Sequence, residues 1–89
     1  MPTLSVFYGI VISMYFLDNL RHRTAHIHAR YQEPEAVFAI ESGEVLEGSL
    51  PRNKERLVVA WIEIHREELL ENWKLASQGN ALFKIEPLK

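Results

Sequence analysis

Six residues with side chains able to do chemistry crowd into one short stretch, Leu20-Arg-His-Arg-Thr-Ala-His-Ile-His-Ala-Arg-Tyr31. They are Arg21, His22, Arg23, His26, His28 and Arg30, with no acidic residue among them. Imidazole can bind a metal, carry a proton or contact a phosphate near neutral pH. His26 and His28 are two apart, so on an extended strand they project from the same face. Three chemistries are open to this set. As a metal site, His26 and His28 would be two ligands for a divalent ion such as zinc, which takes three or four. His22, Asp18, Glu33 and His65 are the candidates for the remainder, although the chain has no HExxH pattern. As a phosphate or RNA surface, the three arginines and three histidines supply positive charge, and Tyr15 or Tyr31 could stack a base. As a nuclease-like acid–base centre, one imidazole would be protonated and the other neutral, with Arg30 stabilising developing charge. The bland alternative for the histidines is a solvated strand face.

Charge is unevenly distributed. The chain carries a formal −2 overall, so no global field draws in nucleic acid. Residues 20–31 sum to +3 with histidine neutral (three arginines, no acid), whereas residues 33–47 sum to −5 (five glutamates, no base). There is no cysteine, which excludes disulfides, thiolate metal ligation and cysteine nucleophiles. No phosphate-binding glycine loop and no serine in a nucleophile context is present.

The elements that must position these groups are legible from periodicity. Leu4 to Leu17 is the most apolar stretch but is shorter than the about 20 apolar residues of a membrane helix, and no basic region precedes it as in a signal peptide. The chain therefore reads as soluble and cytoplasmic. Ile10 to Phe16 is β-branched and aromatic and predicts a strand, with Gly9 before it as a bulge or tight bend. Asp18-Asn19 is a turn signal. Residues 24–31 alternate strictly: Ala25, Ile27, Ala29 and Tyr31 on one side, His26, His28 and Arg30 on the other. This predicts a half-buried strand whose wet face carries the histidines. Gln32-Glu33-Pro34 makes the next turn. Glu35 to Ile40 and Glu44 to Gly48 follow as strands separated by Ser42-Gly43.

After Leu50-Pro51 the period changes. Leu57, Val58, Trp61, Ile62, Ile64, Leu69, Trp73 and Ala76 recur at helical steps, and Glu63, Glu67, Glu68 and Glu71 share the other side with Arg56, Arg66 and Lys74. A break near His65–Glu67 would make two consecutive helices of one, and Gly79 is the stop. Trp61 and Trp73 are expected in the core, each burying roughly 150–250 Å². The tail 81–89 is expected to pack as an extended segment or a last edge strand, limited to an edge by Pro87.

These readings give a single α+β domain over residues 1–89: a small antiparallel sheet of three to five strands packed against one long or two consecutive C-terminal helices. The uncovered sheet face would carry His26, His28 and Arg30. A core this small makes a homodimer or a partner subunit a natural supplement to stability.

Several stretches also resemble a known family. Met1-Pro-Thr-Leu-Ser5, Gly9-Ile-Val-Ile-Ser-Met-Tyr15, His26-Ile-His28, Gly43-Glu-Val-Leu-Glu-Gly-Ser-Leu-Pro51, Trp61-Ile-Glu-Ile-His-Arg-Glu-Glu-Leu-Leu-Glu-Asn-Trp73 and Ile85-Glu-Pro-Leu88 are similar to a small bacterial family catalogued as domain of unknown function 4160. The family usually has proline before its first histidine of His-x-His, where this chain has Ala25, and a shorter Pro-Pro connection before it. The resemblance implies no established reaction. It implies one half of a two-gene pair reminiscent of toxin–antitoxin systems, encoded beside another small domain, and so a protein partner. On this sequence alone the chain reads first as an interaction module, with the His/Arg strand as its contact for a protein partner or for phosphate or RNA. A nuclease-like or metal-binding enzyme using His26 and His28 is the alternative.

Overall fold

A computed structural model of the chain describes residues 3–16 and 24–89. The expected turn at Asp18-Asn19 and the candidate residues Arg21, His22 and Arg23 lie outside the described residues. The architecture is α+β: strands β1 (Thr3–Phe7), β2 (Ile10–Ser13), β3 (His26–Tyr31), β4 (Glu35–Ala39) and β5 (Val45–Gly48), then helix α1 (Arg52–Ser77). The strands form one antiparallel meander in the order β1-β2-β3-β4-β5, the arrangement that short connections favour.

The first apolar run is two strands rather than one. Tyr8 (φ 52°) and Gly9 (φ 78°) are the two central residues of a tight hairpin turn closed by Phe7 and Ile10. Left-handed conformation at both positions matches the strand twist. Gly9 is therefore the second turn residue between β1 and β2. Glycine is also obligatory at Gly48, where a Cβ would lie 2.2 Å from the Glu35 carbonyl oxygen.

Alternation on the strands decides which face the helix covers. Ile10 and Ile12 of β2, Ile27 and Ala29 of β3, and Ala36 and Phe38 of β4 are fully buried. They form one core with Val58, Trp61, Ile62 and Leu69 of α1. Trp61 packs on Phe7 with ring centroids 5.3 Å apart. Ile64, read from the sequence as part of the apolar stripe, is instead 64% exposed. The buried stripe runs through 58, 61 and 62 toward 65, and position 64 sits about 100° away from 65, on the flank.

The expected break is at His65, whose backbone (φ −111°, ψ 24°) leaves helical geometry within an otherwise continuous α1. Three side-chain contacts surround it. His65 Nδ1 pairs with Glu68, its ring lies 5.4 Å from Trp61, and Arg66 Nε donates to the Ile40 carbonyl at 3.1 Å. The kink is thus tied to the end of β4. Arg66 also grips Glu63 through two nitrogens, at 3.1 and 3.0 Å. That hydrogen bond holds the Glu63 carboxyl below the usual carboxylate range and raises the guanidinium. In solvent such a pair adds little stability. At the far end Asn80 N–H donates to Leu75 O and Gly79 N–H to Ala76 O, the Schellman pattern, with Gly79 (φ 75°) as its left-handed residue.

The tail is an extended segment on the outer edge of β1, joined by Ile85 N–H to the Leu4 carbonyl at 2.9 Å. Side chains of the helix hold it there. The fully buried Asn72 donates to Phe83 O at 2.9 Å and accepts from Phe83 N–H at 3.0 Å. Trp61 Nε1 donates to Glu86 O at 2.8 Å. An amide side chain has both a donor and an acceptor, so Asn72 mimics a strand neighbour.

The two tryptophans should differ. Trp61 has no exposed surface, whereas Trp73 is partly buried. Trp61→Ala is expected to cost about 3–5 kcal/mol and to release the tail. Trp73→Ala should cost distinctly less. Urea unfolding of both variants checks this, and equal losses would contradict the placement of Trp61 at the centre.

Candidate functional site

The sheet face opposite the helix carries the chemistry. Register aligns Thr3, Ser13, His28, Val37 and Glu47 in one row across all five strands. The adjacent row runs Val6, Val11, Arg30 and Glu35. Side chains from both rows, with Tyr15, surround a recess of about 90 Å³ whose polar lining is Thr3, Ser13, Tyr15, His28, Arg30 and Glu35. Drug-sized ligands occupy roughly 300–1,000 Å³, while a water takes about 30 Å³ of liquid. The recess has room for one small group, such as a phosphate or carboxylate.

His28 is its most constrained member. Its Nδ1 lies 2.7 Å from Glu35 Oε2, with the imidazole side chain 15% exposed and the carboxylate 46%. The β3–β4 hairpin makes this pair. His28 faces Val37 and Arg30 faces Glu35, so Glu35 is the diagonal neighbour of His28, within reach of long side chains. A carboxylate only accepts, so Nδ1 carries the proton, and the neutral ring has its acceptor at Nε2. The Tyr15 ring meets the His28 ring edge-on at 4.8 Å. Arg30 is exposed, and no described residue forms an ion pair with it.

His26 departs from expectation. The alternation predicts it on the wet face, away from the tryptophans, yet it has no exposed surface. Its ring lies 5.5 Å from His28, consistent with a shared side of β3, but also 5.0 Å from Trp73. Trp73 in turn contacts Phe16 at 5.2 Å. This end of the face is closed over by aromatic rings, so His26 is not part of an open surface. Its Nδ1 donates to the Thr24 carbonyl at 2.7 Å.

The other candidates are dispersed. His65 is on α1, engaged with Glu68 and Trp61. Glu33 is exposed in the β3–β4 turn. Tyr31 faces the helix, under Lys54 Nζ at 4.7 Å, and is therefore on the opposite side of the sheet from His28. Among the described residues no group of three or more His, Asp or Glu side chains is placed to hold a metal ion. The pattern of β3 alone does not point to Glu35, Ser13 or Thr3. A signal existed for Glu35: a two-residue turn at Gln32-Glu33 fixes the pairing and makes Glu35 the diagonal neighbour of His28.

A five-stranded meander backed by one kinked helix, with a small polar recess on its free face, defines a compact α+β domain. Residues 9–74 match the family described as Domain of unknown function (DUF4160), and the chain belongs to that family. Comparison with curated proteins and with solved structures finds no match. Among the described residues no helix is long and apolar enough to cross a membrane.

The two tautomers are directly measurable. Long-range ¹H–¹⁵N correlation spectra, recorded where both rings are neutral, should show protonated Nδ1 for His26 and for His28. The Glu35→Ala variant should shift the His28 tautomer balance toward protonated Nε2 while leaving His26 as it was. A His28 that already carries its proton on Nε2 in the parent chain would break the His28–Glu35 assignment.

Proposed function

We infer that this chain is a small cytoplasmic interaction module that docks a protein partner on the sheet face opposite its helix, taking an acidic group of that partner into the His28–Arg30 recess. The observation that carries the reading is the recess itself. It has room for one small group, and it sets an exposed arginine, with no ion pair among the described residues, beside the hydroxyls of Ser13, Thr3 and Tyr15 and the His28–Glu35 pair. A protein partner fits better than RNA. Nucleic-acid affinity comes mainly from many phosphate contacts, and this recess offers one, flanked by the acidic run 33–47. The family resemblance supports the same direction, with the chain as one half of a two-gene pair of toxin–antitoxin type. The test is co-purification with the product of the adjacent gene. Arg30→Glu should weaken that complex about 30-fold or more, as expected for a buried interface arginine, with the fold unchanged by circular dichroism. Undiminished binding, or binding of single-stranded RNA in place of the partner, would overturn the reading.

A second reading has its own support. Both imidazoles hold an oxygen acceptor at Nδ1, the second contact by which metal-ligating histidines are oriented. In this reading Nε2 of His26 and of His28 would ligate a divalent ion such as zinc, with further ligands to complete the set, and a nuclease-like activity would follow from the metal. Protein purified without a histidine tag should then contain about one zinc per chain by elemental analysis, and the His28→Ala variant should contain none. Metal-free protein that gains no stability on adding zinc would rule it out.

A further inference from the structure

The two edges of the sheet are treated differently. The outer edge of β1 is occupied by the tail through Ile85 and Leu4. No described residue pairs with the outer edge of β5, the last strand of the meander. All four residues of β5 are exposed, including Val45 at 39% and Leu46 at 37%. The loop before it packs on the helix, where a Cβ at Gly43 would lie 3.6 Å from Val59. Val59 is itself 40% exposed and lines an open depression of about 480 Å³ with Arg52, Glu55, Arg56, Ala60 and Glu63. An open strand edge beside an apolar strip is a template for another extended chain.

Charge selects the occupant. From Glu33 to Leu50 there are five glutamates and no lysine, arginine or histidine. Pairing β5 with β5 of a second copy would bring two such runs side by side, and like charges across paired strands destabilise. The depression on the helix holds two arginines and two glutamates, so it does not reverse the sign. We propose that the β5 edge binds an extended segment of a partner protein that alternates apolar with basic residues, adding it as a sixth strand. Backbone hydrogen bonds would give the affinity. Apolar side chains would lie toward Val59, and basic ones along the acidic run. The β5 edge itself contributes no residue to the His28–Arg30 recess, and either can fail without the other.

The test uses the full chain and a hexapeptide alternating lysine and valine. Its counterparts alternate glutamate and valine, or carry N-methyl groups at every second amide. Binding is followed by fluorescence anisotropy and by amide chemical shifts. The lysine peptide should bind, with the largest shifts at Val45, Leu46 and Glu47. The glutamate and N-methylated peptides should bind at least tenfold more weakly. Leu46→Pro should abolish binding. Leu46→Lys, which does not interrupt the strand backbone, should weaken it at least tenfold. Equal binding of the N-methylated peptide would mean charge attraction alone and overturn the proposal. So would shifts centred elsewhere, or a dimer of the chain itself that Leu46→Lys dissolves.

Discussion

A strand slipped by one residue would put Ile27 and Ala29 into water and press His28 and Arg30 against Trp61. The period-two alternation of β3 therefore fixes the core and the candidate site together. Its burial is strong on one side, with Ile27 and Ala29 wholly enclosed alongside Phe38 and Ile12. A single register error would expose those side chains and bury an arginine, a loss of several kcal/mol from both terms. The position of the recess is thus a by-product of packing on the opposite face. The His28–Glu35 pair then sharpens the chemistry that this packing has already placed.

The fold class was legible because helix and strand periods differ so clearly on either side of Pro51. The kink at His65 fell within the break read from the sequence. It is held by Arg66 and Glu68, residues that look in the sequence like ordinary members of a solvated face. Gly9 signals a bulge or a tight bend, and the structure has the tight bend, as the turn of a hairpin. Tyr8, beside it, is an unusual residue for a left-handed turn position, and the apolar run continues through it without a composition break. The tail was read as extended, but what pins it was not. Asn72 stands between Glu71 and Trp73 in a charged helix, and nothing local distinguishes an amide that faces water from one that clasps Phe83.

The site was legible in half. Alternation correctly paired His28 with Arg30 on the face away from the helix core, and register then added Glu35, Ser13 and Thr3 from other strands. Those contributions depend on cross-strand neighbours, which one strand's own pattern cannot name. His26 shows the complementary failure. It obeys the alternation, sharing a side with His28, yet it is buried, because Trp73 and Phe16 close over that end of the sheet. A face that one strand presents as wet is wet only where no other element reaches across it.

The clasp between the two ends of the chain has a kinetic consequence. Residues 4 and 85 are joined across nearly the whole sequence by one main-chain bond, with the rest of the grip supplied by Asn72 and Trp61 from the helix. A contact so distant along the chain bears a large closure entropy and gains little until the helix has docked. It should form last. In the native protein its departure breaks no strand ladder among the described residues, so it can lift away by itself. Amide exchange at Phe83 and Ile85 would then outpace that of β2 and β3 while the rest of the molecule stays closed.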